Sequence, residues 1–113
     1  MKIEQISLKI EKRVKFDLAS YRKLDKTCGC YILTTFDDTI LYIGKTENFF
    51  ERFQQHLKDP VKTSPTKLGK AFWFYYVELP LLDIDRFERT LLNDYECKIG
   101  TLPILNNIHS PVV

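Results

Sequence analysis

Residues 29–57, GCYILTTFDDTILYIGKTENFFERFQQHL, contain the pattern that decides the fold. Residues 30–36 and 39–43 are rich in β-branched and aromatic side chains, and Asp37 and Asp38 lie between them. Two such runs on either side of a short polar segment are typical of a β-hairpin. We therefore expect two antiparallel strands in this stretch.

The register of this hairpin decides where its two tyrosines lie. With a two-residue turn, Tyr31 pairs with Gly44 and Tyr42 pairs with Leu33, so that both phenols project from one face of the sheet. A turn with an odd number of residues would place them on opposite faces. Paired aromatic side chains are usually packing, so the tyrosines alone do not indicate a functional site.

A helix, a strand and a second helix follow the hairpin. Residues 46–57, TENFFERFQQHL, predict a helix that Asn48 can cap. Residues 71–79, AFWFYYVEL, are typical of a buried central strand, and residues 84–99 predict a helix that ends at Gly100. This order of elements indicates a small α+β domain with a largely antiparallel sheet.

The N-terminal segment fits two patterns. Ile6, Leu8 and Ile10 alternate with polar residues as in a strand, and so do Val14, Phe16 and Leu18. Ile3, Ile6, Ile10 and Val14 also fit one stripe of a helix. We favour the strand and keep the helix as the alternative.

The composition is typical of a soluble protein with one domain. The chain has 113 residues, of which 44% are hydrophobic and 28% charged, and its first residues do not resemble a secretory signal, so we expect a cytoplasmic location. Of the three cysteines, Cys28 and Cys30 are one residue apart and no second pair follows. This spacing favours reduced, mostly buried thiols over a zinc site.

Positive charge is concentrated at the N-terminus. Residues 1–27 contain eight Lys or Arg and four Asp or Glu, and we expect them to form a basic extension packed on a domain of residues 28–113, within one domain overall. A second basic cluster lies in and beside a predicted polar loop at residues 61–70. Such lysines could bind nucleic-acid phosphates, although charge alone favours a solvated loop; they are Lys58, Lys62, Lys67 and Lys70.

Three polar side chains lie near apolar helix faces. Glu88 is four residues after Ile84 and three before Leu91, inside the apolar stripe of the second helix. A carboxylate in that position is costly unless it is paired, binds a cation or reaches water from the margin of the stripe. Arg52 and His56 are four residues apart and share a face of the first helix. Such a pair on its own is usually exposed on the surface and has no function.

Together, these side chains suit the cleavage of phosphodiesters. The Glu88 carboxylate could hold a hard cation such as Mg²⁺, and the Arg52 guanidinium matches the charge that develops on phosphate oxygens. A phenol, the His56 imidazole or Lys45, which immediately follows the second strand, could hold and deprotonate water.

The spacing of these residues resembles that of the GIY-YIG nuclease family. Residues 29–31, GCY, and residues 42–44, YIG, resemble the paired signature of the family. Cys30 departs from the aliphatic residue usual there, but it is an acceptable small hydrophobic residue in a strand. The further matching positions, in order to the end of the likeness at residue 106, are Arg52, His56, Glu88 and Asn106.

The resemblance implies a metal-dependent endonuclease that hydrolyses DNA phosphodiester bonds on a three-stranded antiparallel sheet flanked by helices. It implies that Tyr31 holds or deprotonates the attacking water, and that Tyr42 and Arg52 position the scissile phosphate. Glu88 is implied to bind a single Mg²⁺ or Mn²⁺ ion.

The resemblance also implies supporting roles and partners. Lys45 and His56 become candidates for proton transfer, and Asn106 would brace the site. The implied substrate is duplex or branched DNA in repair, phage or mobile-element processes, with no membrane involved. A homodimer or a separate specificity subunit could supply substrate choice. The alternative is a catalytically weak module on the same fold that binds nucleic acid or protein.

Overall fold

The computed structural model describes residues 1–106, which form a four-stranded antiparallel sheet with helices on both faces. This architecture confirms the expected α+β class. The strands are β1 (Lys12–Lys15), β2 (Gly29–Thr34), β3 (Ile40–Thr46) and β4 (Trp73–Glu78). The helices are α1 (Phe49–Leu57), α2 (Pro60–Thr63) and α3 (Ile84–Ile99), and short 3₁₀ segments lie at Ile3–Gln5, Leu18–Lys23 and Leu81–Asp83.

The strand order is β1-β4-β2-β3, so β4 is central, as its dense aromatic sequence predicts, and β3 lies at an edge. The sheet has four strands instead of the expected three because the N-terminal segment contributes β1. Lys12 pairs with Tyr76 and Lys15 pairs with Trp73 on β4. The helical alternative for this segment is wrong, since only Ile3–Gln5 forms a turn of 3₁₀ helix before the strand. The favoured strand is found at Lys12–Lys15 and not at residues 6–10, where Ile6 and Ile10 are buried in an apolar core without pairing in the sheet.

The β2–β3 hairpin has the predicted pairing of residues but not the predicted turn length. The Thr35 amide donates to the Thr39 carbonyl over 2.9 Å, so the turn contains three residues, of which Asp38 has a left-handed φ of 69°. A bulge beside Leu33 and Thr34 then restores the register, and Tyr31 pairs with Gly44 while Leu33 pairs with Tyr42. The odd turn and the bulge cancel, and both tyrosines contribute to the same core.

The sheet separates two apolar cores. One core packs α1 against the tyrosine face, and its fully buried members include Tyr31, Leu33, Phe49, Phe53 and Phe74. The other core packs α3 against the opposite face, and its buried members include Cys30, Ile32, Ile43, Leu91 and Tyr95. The edge strand β3 therefore lies between a helix on each face.

The predicted loop at residues 61–70 is partly helical. It overlaps α2, because the Asp59 side chain accepts from the Val61 amide over 2.9 Å and Pro60 begins a helical turn. Cys30 is buried, whereas Cys97 is exposed. Within residues 1–106, no helix has the length and apolar character needed to span a bilayer.

Gly29 of β2 lies close to both β4 and α1. A Cβ atom at this position would be 1.9 Å from the Val77 carbonyl oxygen and 2.8 Å from the Phe49 ring. The carbonyl belongs to the backbone of β4 and cannot rotate away. The position therefore requires glycine for reasons of packing.

We expect Gly29→Ala to lower the free energy of unfolding by about 3 kcal/mol or more, because the added methyl group overlaps fixed backbone. Urea denaturation measures this loss. Gly100→Ala is the matched control: its Cβ meets nothing within 4 Å, and its φ of 95° should cost only about 1 kcal/mol. Equal losses in the two variants would show that Gly29 is not closely packed against β4.

Candidate active site

Tyr31 lies across the β2–β3 pair from Gly44, whose missing side chain leaves room for the phenol. A Cβ atom at Gly44 would be 2.6 Å from the Tyr31 hydroxyl oxygen and 2.8 Å from the Tyr42 ring. The Tyr31 ring also stacks on Phe74, with ring centroids 4.9 Å apart. The phenol is thus held between the central strand and the backbone of β3.

The two tyrosines converge with His56. The Tyr31 hydroxyl oxygen is 2.5 Å from His56 Nε2. The His56 ring centroid is 5.5 Å from that of Tyr42, and the two tyrosine centroids are 6.0 Å apart. His56 is on the side of α1 that faces the sheet, so three of the predicted site residues form one buried cluster.

This cluster is electrically neutral at physiological pH. Burial, together with the positive charges of Lys62 and Arg52, lowers the pKa of His56 to about 3. Burial raises the pKa of Tyr31 well above its usual value and also raises that of Tyr42. A neutral imidazole has one donor and one acceptor nitrogen, so the Tyr31 hydroxyl donates to Nε2 when the ring hydrogen is on Nδ1 and accepts from Nε2 when it is there.

Lys62 departs from its expected place in an exposed nucleic-acid-binding loop. It is 5% exposed, and its Nζ is 4.5 Å from the centroid of the Tyr42 ring and 3.7 Å from an Asp59 carboxylate oxygen. The helical turn of α2 directs the side chain inward, so the Lys62 ammonium group lies over the ring of Tyr42 and contacts the tyrosine–histidine cluster there. The other lysines of that predicted group are exposed, namely Lys58, Lys67 and Lys70.

A polar cleft of about 430 Å³ opens at the edge strand, lined by Lys45 of β3, Arg52 of α1 and Asp85 of α3. Helices from opposite faces contribute to one cleft because β3 has no strand beyond it among residues 1–106. Lys45 Nζ is 2.5 Å from Asp85 Oδ1. This hydrogen bond raises the pKa of Lys45 and lowers that of Asp85, so Lys45 is a cation at neutral pH.

Glu88 lies one turn after Asp85 on α3 and is half-buried, as its place in the apolar stripe predicts. Burial raises the pKa of its carboxyl, Lys45 partly offsets this, and Asp85 adds to it. No ion pair of this carboxylate forms within residues 1–106. Its charge also contributes to the raised pKa values of Tyr31 and Tyr42.

The carboxylate of Glu88 has the chemistry of a ligand for a hard divalent cation. A half-buried, unpaired carboxylate is stabilised by a cation, and Mg²⁺ keeps several waters and needs only one or two protein carboxylates. No group of three or more His, Cys, Asp or Glu residues within 1–106 is placed to hold a metal. A site here would therefore consist of Glu88 and water, and the Asp85 carboxylate, one turn earlier on α3, is paired with Lys45.

Asn106 lies against the outer edge of β3. Its Oδ1 accepts from the Ile43 amide over 2.9 Å, and its Nδ2 donates to the Ile43 carbonyl over 2.8 Å. The side chain therefore pairs with the edge strand as a backbone would. Ile43 lies between Tyr42 and Gly44, so this contact fixes the strand that supports both tyrosines.

Two contributors to the site were not assigned to it from the sequence. Asp85 precedes Glu88 by three residues and so shares its helix face, a spacing that could have been recognised. The position of Lys62 beside Tyr42 depends on how α2 packs, and no local pattern in the sequence predicts it. Arg52, predicted from its position on α1, is half-buried and lines the cleft with Lys45.

His56 should make stability depend on pH. Its pKa is about 3 in the folded chain and about 6.5 when unfolded, so below pH 6.5 the unfolded chain binds a proton that the folded chain excludes. We expect the free energy of unfolding to fall below pH 6.5 with a contribution approaching about 1.4 kcal/mol per pH unit. His56→Gln should remove this contribution, as measured by urea denaturation at several pH values; equal slopes in both proteins would contradict the buried neutral imidazole.

Comparison with protein families matches the chain to the GIY-YIG catalytic domain over residues 27–98. Comparison with curated proteins finds no match. The matched span includes the tyrosine–histidine cluster, the cleft and Glu88, whereas β1 and Asn106 lie outside it. Since it covers more than half of the 113 residues, the chain belongs to the GIY-YIG catalytic domain family, a family of endonucleases.

Proposed function

We propose that this protein is an endonuclease that hydrolyses DNA phosphodiester bonds with the help of one divalent cation at Glu88. The observation that supports this most directly is the hydrogen bond between Tyr31 and the neutral His56, near a cleft lined by Arg52 and Lys45. A proton acceptor and two cations near one cleft match the needs of water attack on a phosphodiester.

Tyr31 and His56 act as a unit on the attacking water. In this mechanism the imidazole hydrogen is on Nδ1, so the Tyr31 hydroxyl donates to His56 Nε2 and its oxygen can accept a hydrogen from water. Tyr31 is fully buried in the free protein, so this water must enter with the substrate. As water attacks phosphorus, its proton passes to the phenol oxygen and the phenol proton passes to Nε2. In the free protein, the positive charges of Lys62 and Arg52 disfavour protonation of His56. During the reaction, the negative charge that develops on the phosphate offsets their effect.

Arg52 and Lys45 act on the phosphate. The Arg52 guanidinium can donate two parallel hydrogen bonds to non-bridging oxygens. Lys45 is kept protonated by Asp85, so it serves as a cation or as a proton donor to the leaving oxygen, and not as the base. Tyr42, packed between His56 and Lys62, positions the phosphate through its hydroxyl.

The cation would be held by Glu88, and when bound it would neutralise charge on the phosphate and the leaving oxygen. Asn106 has a positioning role, since its two hydrogen bonds to Ile43 hold the strand that carries Tyr42. The direct test of the proposal is nicking of supercoiled plasmid with Mg²⁺, with Mn²⁺ and with EDTA. If neither metal gives cleavage of plasmid, branched or single-stranded DNA, a binding module on this fold replaces the nuclease.

Glu88→Gln removes the charge of the proposed metal ligand and keeps its shape. We expect plasmid nicking to fall by at least about 100-fold, because a neutral amide cannot replace the carboxylate in binding the cation. Thermal unfolding should stay near that of the wild type, since the buried charge had no ion pair. Glu96→Gln, on an exposed face of the same helix, is the matched control and should retain full activity.

Tyr31→Phe keeps the packing on Phe74 and removes only the hydroxyl. We expect activity to fall by about 100-fold or more while Mn²⁺ binding, followed by calorimetry, stays unchanged, because the phenol handles water and not the cation. Tyr76→Phe is the control, as this tyrosine packs in the same core. Unchanged nicking by Tyr31→Phe would remove Tyr31 from the proton path.

A further inference from the structure

Phe36 is an aromatic side chain that the fold holds in an exposed position. It lies in the β2–β3 turn and is 71% exposed. Its ring packs edge-on against Phe72 at 5.0 Å, Phe72 packs edge-on against Trp73 at 4.9 Å, and Trp73 Nε1 donates to the Phe36 carbonyl over 3.2 Å. These three residues form an aromatic strip whose outermost ring is held in place and still faces solvent.

The aromatic strip borders a groove of about 500 Å³, which we call the turn groove. Phe36 and Phe72 line it together with Leu68, and Lys15 and Lys70 line its charged parts. A volume of this size suits a small organic group such as a nucleotide. Its combination of ring faces and ammonium groups is that of a surface that stacks bases and contacts phosphates.

The charge around the turn groove favours an anion. Lys15 and Lys70 are exposed and form no ion pairs within residues 1–106. Of the two carboxylates that line the groove, Asp37 is paired with Lys2 at 2.9 Å, and Asp17 remains. The groove thus keeps one excess positive charge beside its apolar wall.

We infer that the turn groove binds unpaired nucleotides of a single-stranded nucleic acid, with a base stacked on Phe36 and phosphates beside Lys15 and Lys70. A ring can stack only on a base whose face is open, and the bases of a duplex cover one another, so duplex DNA does not fit this role. An aromatic strip without the lysines would suit an apolar peptide equally well. The positive charge of Lys15 and Lys70 favours a nucleic acid over such a peptide.

The turn groove is separate from the catalytic cleft. Lys45 lies five residues after Ile40, the residue of β3 next to the turn, which is about 17 Å at the usual rise per strand residue. A substrate that occupied both sites would therefore contain an unpaired segment several nucleotides from the cut, as in a flap or a branched DNA. This selection of branched substrates rests on the proposed function, whereas binding of a single strand to the groove does not.

Trp73 is the only tryptophan of the chain and belongs to the aromatic strip, so its fluorescence reports on the groove. The probe is an oligothymidylate of about ten nucleotides, added in EDTA so that no cleavage occurs. We expect a saturable change in fluorescence and about tenfold weaker binding by Phe36→Ala, which is the size of one lost base stack. Phe36→Tyr should bind like the wild type, because its ring also stacks.

The controls separate stacking from general attraction. Ile99→Ala removes an exposed apolar side chain outside the groove and should leave binding unchanged. Lys15→Gln with Lys70→Gln should weaken binding and reduce its dependence on salt. A duplex of the same length should bind without any dependence on Phe36. Equal affinity of wild type and Phe36→Ala for oligothymidylate would overturn the inference. Displacement of bound oligothymidylate by a polyglutamate peptide of equal charge would also overturn it, because charge alone would then explain the binding.

Plasmid nicking distinguishes this inference from the proposed function. If the wild type nicks plasmid but Phe36→Ala binds oligothymidylate normally, the turn-groove inference fails and the nuclease stands. If binding depends on Phe36 but no DNA is cut with either metal, the nuclease fails and the groove stands.

Discussion

The contact between the Tyr31 phenol and the backbone of Gly44 is the constraint on which the candidate site depends. It requires glycine at position 44, because any side chain there would overlap the hydroxyl. It also requires one particular pairing of β2 with β3, since a slip of one residue turns every side chain of a strand to the other face. The three-residue turn alone would produce that slip, and the bulge reverses it. A local irregularity in the hairpin is thus what brings Tyr42 to His56 on α1, away from the core beneath α3.

The same geometry divides the site into a neutral half and a charged half. Tyr31 and His56 lie inside the α1 core, where burial favours the uncharged forms of both. Lys45 and Asp85 face the cleft, where a hydrogen bond stabilises both charges. A proton acceptor must be unprotonated before reaction, whereas phosphate binding needs lasting positive charge. In the proposed mechanism the neutral half accepts the proton and the charged half binds the phosphate, so each half has the charge that its proposed role needs.

Local sequence patterns predict most of the elements and fewer of the contacts. The hairpin, α1, α3 and the central strand follow from periodicity and capping, and Glu88 was recognisable as a carboxylate inside an apolar stripe. The pairing of the tyrosines was predicted correctly from a turn length that is wrong, because two irregularities cancel. The pairing of β1 with β4, the burial of Lys62 and the aromatic strip at Phe36 depend on contacts between residues far apart in sequence. No pattern within one segment contains that information.

The edge position of β3 explains how Leu105 and Asn106, which follow α3, come to lie beside the candidate site. An open strand edge invites pairing with other chains, and a cleft at that edge needs part of it uncovered. The Leu105 amide donates to the Leu41 carbonyl, and Asn106 pairs with both backbone groups of Ile43. These contacts cover β3 beside the tyrosines, while the cleft lies further along the strand at Lys45 and Thr46. A side-chain amide is suited to this position because it satisfies both backbone groups of one strand residue.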